Sequence, residues 1–161
     1  MSRSRLLLGS LLVALLGTGL ASTPASSGGP LCFGRAPTIY VEDVRTVPAE
    51  GTPGDDVIWG TPDGESIRGL RGDDRICGRG GPDRIWGNRG NDRISMGRSQ
   101  HNEFGYGGPG HDRLLGQRGS DILDGGSGND YLNGGRAYDW LFGGTGTDTC
   151  RHGENVDTCE G

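Results

Sequence analysis

The sequence predicts an all-β solenoid of short stacked coils, and three observations carry that prediction. An acid returns every ninth residue, an apolar residue follows it in constant phase, and glycines recur at fixed places before it, as in "GDDRICGRGGPDRIWGNRGNDRI" over residues 72–94. A fixed period of this kind marks repeated units, each of which buries its apolar residue only by stacking on its neighbours. The bulk composition agrees. Of 161 residues 34 are glycine and only 31% are hydrophobic, too little for an ordinary globular core, so something besides apolar burial must help the chain fold.

Taken in chain order, the first element is a leader. Met1 to Arg5 is basic, residues 6–21 read LLLGSLLVALLGTGLA, and STPASSGGP follows. A basic start, a short apolar run and small residues at Gly19 and Ala21 predict a signal peptide over 1–21, removed on export. The run is shorter than the ~20 residues a span needs and is broken by Gly9, Gly17 and Gly19, so no stable membrane insertion is expected. Cys32 lies beyond a Ser/Gly/Pro linker, a poor context for a lipidated cysteine. The chain is therefore expected to be secreted and extracellular. In that setting Cys32, Cys77, Cys150 and Cys159 are expected as disulfides, for which four cysteines allow three pairings. No CxxC spacing suggests zinc. With 16 basic residues against 21 acids the formal charge is −5, which argues against a nucleic-acid partner and makes cations the natural one.

Residues 22–50 read as a linker and N-terminal capping segment. Within it TIYVEDV, 38–44, suits a capping strand, because a solenoid's end strand otherwise exposes unpaired backbone groups. From Gly51 to Arg151 eleven units follow G-x-x-G-x-D-x-U-x, with U apolar. The sixth position is Asp56, Glu65, Asp74, Asp83, Asp92, Asn102, Asp112, Asp121, Asp130, Asp139 and Asp148. The eighth is Ile58, Ile67, Ile76, Ile85, Ile94, Phe104, Leu114, Leu123, Leu132, Leu141 and Cys150. One unit, 97–105, is irregular: an extra residue flanks it on each side, Met96 and Tyr106, and it puts neutral Asn102 into the acid column. Residues 152–161 complete a C-terminal cap.

Only x-U-x favours a strand, its middle side chain pointing inward and its neighbours outward. The other six residues form a turn. Glycine at the first and fourth positions opens backbone angles closed to residues with a Cβ and lets carbonyl oxygens crowd together. An Asp beside those carbonyls completes a cage of hard oxygens, the donor set Ca2+ takes with about six to eight ligands at roughly 2.3–2.6 Å. The repeats are thus predicted to bind several Ca2+ ions between coils.

"GGSGNDYLN", 125–133, matches GGxGxDxUx at every specified position. The units resemble the RTX (repeats-in-toxin, haemolysin-type) calcium-binding repeat. That resemblance implies a right-handed parallel β-roll with two nonapeptides to a turn, each calcium lying between loops of successive turns on one edge. Alternate units then share an edge. Edge one carries Asp56, Asp74, Asp92, Asp112, Asp130 and Asp148. Its loops keep first-position glycine at Gly51, Gly69, Gly87, Gly107, Gly125 and Gly143, and fourth-position glycine at Gly54, Gly72, Gly90, Gly110, Gly128 and Gly146. Six stacked loops enclose five gaps, so up to five good sites are expected there. Edge two carries Glu65, Asp83, Asn102, Asp121 and Asp139, with fourth-position glycine only at Gly81 and Gly119; fewer and weaker sites are expected. The opening CFGRAPTI and the DRICG turn resemble secreted actinobacterial members of this repeat family. That likeness supports a Cys32–Cys77 pairing beside a Cys150–Cys159 bridge across the C-terminal cap.

Outward positions hold Arg75, Arg93 and Arg113 on one sheet, and Trp86, Ile122, Trp140 and Phe142 on the other. They are expected chiefly to shield the sheets. The sequence holds no HExxH, GxSxG or P-loop signature, and about thirty residues between leader and first unit leave no room for a catalytic domain, so no enzyme activity is expected. The predicted function is that of a secreted monomer that binds calcium and folds on binding it. The alternative is a cell-surface or polysaccharide-binding module that uses calcium only as scaffold.

Overall fold

A computed structural model describes residues 31–41, 48–152 and 159. The leader, 1–21, lies outside the described residues, as do 42–47 of the N-terminal capping segment and 153–158 of the C-terminal cap. The described strands form two parallel sheets. One is seven-stranded, in the order β1 (Ile39–Tyr40), β3 (Val57–Trp59), β5 (Arg75–Arg79), β7 (Arg93–Gly97), β9 (Arg113–Arg118), β11 (Tyr131–Arg136) and β13 (Thr149–Arg151). The other is six-stranded: β2 (Ala49–Glu50), β4 (Ser66–Arg71), β6 (Arg84–Arg89), β8 (Phe104–Pro109), β10 (Ile122–Ser127) and β12 (Trp140–Thr145). Consecutive strands alternate between sheets, so two units make one turn of a parallel β-solenoid of about six turns.

Register follows from the period. Ile58, Ile76, Ile94, Leu114, Leu132 and Cys150 stand one above another in the first sheet. Ile67, Ile85, Gly105, Leu123 and Leu141 do so in the second. These two files, joined by Met96 and capped by Ile39, are the core. Each residue buries itself only against the file above, below and opposite, as a one-dimensional stack requires. Most strands run six residues, longer than the x-U-x expected, because they continue through the first-position glycine into the next loop. A glycine there puts no side chain in the way of the neighbouring coil, so the parallel ladder extends past it.

The irregular unit corrects the expected register. Glu103, not Asn102, occupies the acid column: it is fully buried, and its backbone N–H donates to Asp121 Oδ1 at 3.1 Å. Gly105, not Phe104, takes the apolar position, paired with Ile85 and Leu123, and Phe104 faces outward. Met96 replaces the first-position glycine and turns its side chain into the core. Both extra residues therefore fall inside one loop, between Met96 and Glu103. Counting outward from glycines misplaced them because Gly97 is a second-position residue here, with φ +142.

Two disulfides, Cys32–Cys77 and Cys150–Cys159, each with Cα atoms 5.9 Å apart, tie the ends, in the pairings expected. The short strand β1 pairs with β3 and covers the first coil, which accounts for the described part of the capping segment.

Candidate metal centre

Most sixth-position acids are held by the coil before them, whereas Asp56, Glu65 and Glu103 are held by Thr52, Thr61 and Ser99 of their own loops. On edge one the backbone N–H of Asp56 donates to Asp74 Oδ1 at 2.9 Å, Asp74 to Asp92 at 2.9 Å, Asp92 to Asp112 at 2.7 Å, Asp112 to Asp130 at 2.7 Å and Asp130 to Asp148 at 2.8 Å. Edge two repeats the pattern from Glu65 to Asp83 at 2.9 Å and from Asp121 to Asp139 at 2.9 Å. One carboxylate oxygen is thus engaged by the stack.

The second oxygen is the one that matters for a cation. On edge one it is buried and accepts no hydrogen bond at Asp74, Asp92, Asp112, Asp130 and Asp148. On edge two the same holds for Glu65, Asp83, Glu103 and Asp121. Buried acceptors without donors are costly, so a column of them requires a counter-charge or a proton.

The first-position glycine makes the room. A Cβ on Gly125 would stand 2.5 Å from Asp130 Oδ2 and 2.7 Å from the Gly143 carbonyl oxygen of the next coil. On Gly116 it would stand 2.6 Å from Asp121 Oδ2 and 2.5 Å from the Gly134 carbonyl. A carboxylate oxygen of one coil and a carbonyl oxygen of the next therefore converge where a side chain is missing.

The fourth-position glycines of edge one, expected in the metal loops beside the first-position ones, do a different job. Their missing Cβ faces the backbone of the preceding coil and not an acid oxygen. At Gly90, where φ is +131, a Cβ would overlap the Gly72 carbonyl oxygen. Gly110 meets the Gly90 carbonyl in the same way, Gly128 that of Gly110, and Gly146 that of Gly128. Gly72 presses on the backbone of Gly54, whereas Gly54, in the first loop, has no coil before it and meets only Thr52 Oγ1. Gly72, Gly90, Gly110, Gly128 and Gly146 therefore set how closely the loops stack, and through that the width of the gap an ion would enter. Edge two lacks this glycine at Asp63 and at Ala137, whose φ is +81.

Electrostatics point the same way. Burial, reinforced by neighbouring acids of the column, pushes Asp74 and Asp112 up to about 7. Burial likewise raises Asp121 to about 7, Asp83 and Glu103 to about 8, and Asp92 to about 6. Asp130 and Glu65 are raised by the same cause. Such acids are poised to be neutral or to sit beside a cation.

Among the described residues no three His, Cys, Asp or Glu side chains gather into one cluster. A divalent ion would have to take one or two carboxylates and fill its shell with backbone carbonyls. That donor set is all hard oxygen, which suits Ca2+ and not a metal that wants nitrogen or sulfur. The sequence named ten acids for this role, and each lies at a sixth position. Glu103 was missed. Its signal was the Ser99-to-Glu103 spacing, which repeats Thr61-to-Glu65: in both the hydroxyl donates to Oε1 of the glutamate, at 3.0 Å for Ser99.

A second ladder runs in the fifth position of edge one in the opposite sense. Asp55 Oδ1 accepts from the Asp73 N–H, Asp73 Oδ1 from Asn91, Asn91 Oδ1 from His111, His111 Nδ1 from Asn129 and Asn129 Oδ1 from Thr147, all between 2.7 and 3.0 Å. His111 is therefore a structural acceptor.

A parallel solenoid whose loops present buried, donor-free acid oxygens to the carbonyls of the next coil defines a repeat protein built around hard cations. The family model for the RTX calcium-binding nonapeptide repeat matches four times, at residues 49–76, 59–94, 106–141 and 132–159, and the chain belongs to that family. No curated protein and no solved structure matches it.

Proposed function

We propose that this is an exported calcium-binding protein whose coils close when Ca2+ enters between them, with a structural rather than catalytic role. The observation that carries the reading is the column of buried acid oxygens without donors, set at Asp74, Asp92, Asp112 and Asp130, and at Glu65, Asp83 and Asp121, beside a glycine gap and a carbonyl of the next coil. When bound, the ion supplies positive charge to acids that otherwise repel along the stack. The chain's part is to hold one oxygen of each acid, by a backbone N–H or at Glu103 by the Ser99 hydroxyl, aim the other into the gap, and exclude water by burial. With a thin core of single Ile and Leu files, this added free energy decides whether the coils stack.

Edge one, with glycine at the first and fourth positions throughout, supports up to five sites in its five gaps. Edge two supports weaker ones, because only Gly81 and Gly119 keep the fourth-position glycine and not because its loops lack charge: Glu103 completes the acid column. Calorimetric titration of the oxidised chain without residues 1–21, followed in parallel by circular dichroism, tests this. About five strong sites gained together with β structure are expected. Full β structure in excess chelator, with no heat at millimolar calcium, would remove the reading.

A further inference from the structure

The outward face of the seven-stranded sheet concentrates cations. Arg75 on β5, Arg93 on β7 and Arg113 on β9 stand in direct register. The file continues into Tyr131, whose ring lies 4.6 Å from the Arg113 guanidinium carbon and 6.0 Å from that of Arg151. At the other end burial, Arg35 and Arg93 all press Arg75 toward losing its proton, and its Nε is buried without a partner. The second outward row of this sheet, Trp59, Cys77, Ser95, Leu115 and Asn133, holds no acid.

The opposite charges that act on Arg75 are Asp55 and Asp73 on the adjoining loops, and both are engaged by backbone N–H groups. The ion pair of Arg68 with Glu50 lies on the other sheet. Three arginines thus stand at backbone positions that repeat at the interstrand interval, about 4.8 Å. In a chain of net charge −5 this is segregation, not surplus.

We propose that this face binds an extended acidic polysaccharide with one carboxylate per sugar residue, laid along the solenoid axis so that successive carboxylates meet Arg75, Arg93 and Arg113. A guanidinium presents a planar fork that matches a carboxylate bidentately. Strand pairing fixes the interval between the backbone positions that carry the forks, and a polymer whose charges recur at a comparable interval can be met by each in turn. The Tyr131 ring, on which the Arg113 guanidinium stacks, closes the row. A DNA duplex fits less well: its phosphates follow at about 3.4 Å per strand and wind away from a flat face. The inference rests on the fold and the charge pattern and is separate from the calcium reading.

The test is calorimetry of the full oxidised chain in calcium at low ionic strength, with a galacturonate hexamer as probe. Wild type binds the hexamer. The triple variant Arg75→Gln, Arg93→Gln, Arg113→Gln loses about tenfold or more, and Arg93→Gln alone loses severalfold. Removing the same charge from the six-stranded sheet, Arg71→Gln, Arg84→Gln, Arg89→Gln, changes affinity by about twofold at most. Circular dichroism in calcium verifies that the variants are folded. Three outcomes overturn the proposal: wild type ignores the hexamer; both triples weaken it equally, which makes net charge the cause; or a thymidylate oligomer of equal charge binds more tightly through the same arginines.

Discussion

The sulfur of Met96 stands 3.1 Å from the point that a Cβ on Gly105 would occupy. One coil has traded its apolar residue for glycine, and the residue that opens the preceding loop, elsewhere a glycine, fills the space from the side. The same exchange explains Glu103. With a Cβ at the first position, the site that accommodates an Asp oxygen elsewhere is occupied; a longer loop keeps the Glu103 N–H on Asp121, and the longer acid reaches the Ser99 hydroxyl.

Met96→Ala should therefore destabilise the calcium-bound protein by about 2–4 kcal/mol, since neither file can collapse into the gap. Gly105→Val alone overpacks against Leu123, whose Cδ2 lies 3.0 Å from the added Cβ, and Met96→Ala with Gly105→Val should recover part of both losses. Denaturant unfolding of the three variants measures this; simple additivity contradicts the exchange.

Gly90→Ala should cost more than about 2 kcal/mol, because it forces a Cβ into a left-handed backbone and against the Gly72 carbonyl oxygen. Gly128→Ala, two turns further on and set against the Gly110 carbonyl, should cost a similar amount. Gly54→Ala, at the same position of the first loop, meets only Thr52 Oγ1 at 3.8 Å and should cost less than about 1 kcal/mol. Thermal unfolding in calcium compares the three directly.

Asp92→Asn sits between two gaps of edge one and should remove or weaken about two calcium ions. Glu103→Gln should weaken binding on edge two, whereas Asn102→Ala should leave the calcium isotherm unchanged. An effect of Asn102→Ala equal to that of Glu103→Gln would reinstate the register expected from glycine spacing.

The raised acids make the metal-free fold depend on pH in an unusual direction. An unfolded Asp or Glu titrates near 4, whereas burial holds Asp74, Asp112 and Asp121 near about 7 and Asp83 and Glu103 near about 8. Between those values the folded chain binds more protons than the unfolded one, so stability falls as pH rises. In chelator, β structure should be present at about pH 5 and fade toward about pH 8, while calcium should preserve it at the higher pH and bind more weakly at the lower. Circular dichroism against pH, with and without calcium, reads both arms; a flat metal-free curve contradicts them.

Much of this was legible because a nonapeptide period ties each residue to its counterpart one coil away. Ile76 above Ile58, Asp130 above Asp112 and the division into two edges all follow from counting. Counting fails where two errors compensate: Met96 to Tyr106 keeps total length compatible with the stack, so placing one extra residue at each end looks as regular as placing both in the loop. What separates the alternatives is volume, the fit of a Met side chain over a glycine, and volume is not a property of spacing. The two glycine columns were legible as columns, but their separate jobs were not: only stacked coordinates show that Gly125 faces an acid while Gly128 faces a carbonyl. Strand length was also hidden, since glycine, a poor strand former alone, is carried into the ladder by its neighbours. The fifth-position ladder was illegible for a different reason: Asp, Asn and His share little but an acceptor atom within reach of the next coil, and only the stacked geometry reveals that they do one job.

The Cys32–Cys77 bridge encloses 45 residues of separation and fastens the leading strand to the third unit. A stack of coils under tension comes apart from its ends, one turn after another, as yarn leaves a spool. Here the first turns lie within a covalent loop, so pulling on the leading end transmits load past them to Cys77 without releasing any of the enclosed chain. Unravelling is left to the other end, where β13 is the last described strand and the Cys150–Cys159 loop adds little length. The molecule is thereby a spool with one end tied off, and the direction in which it gives way is written into where its sulfurs meet.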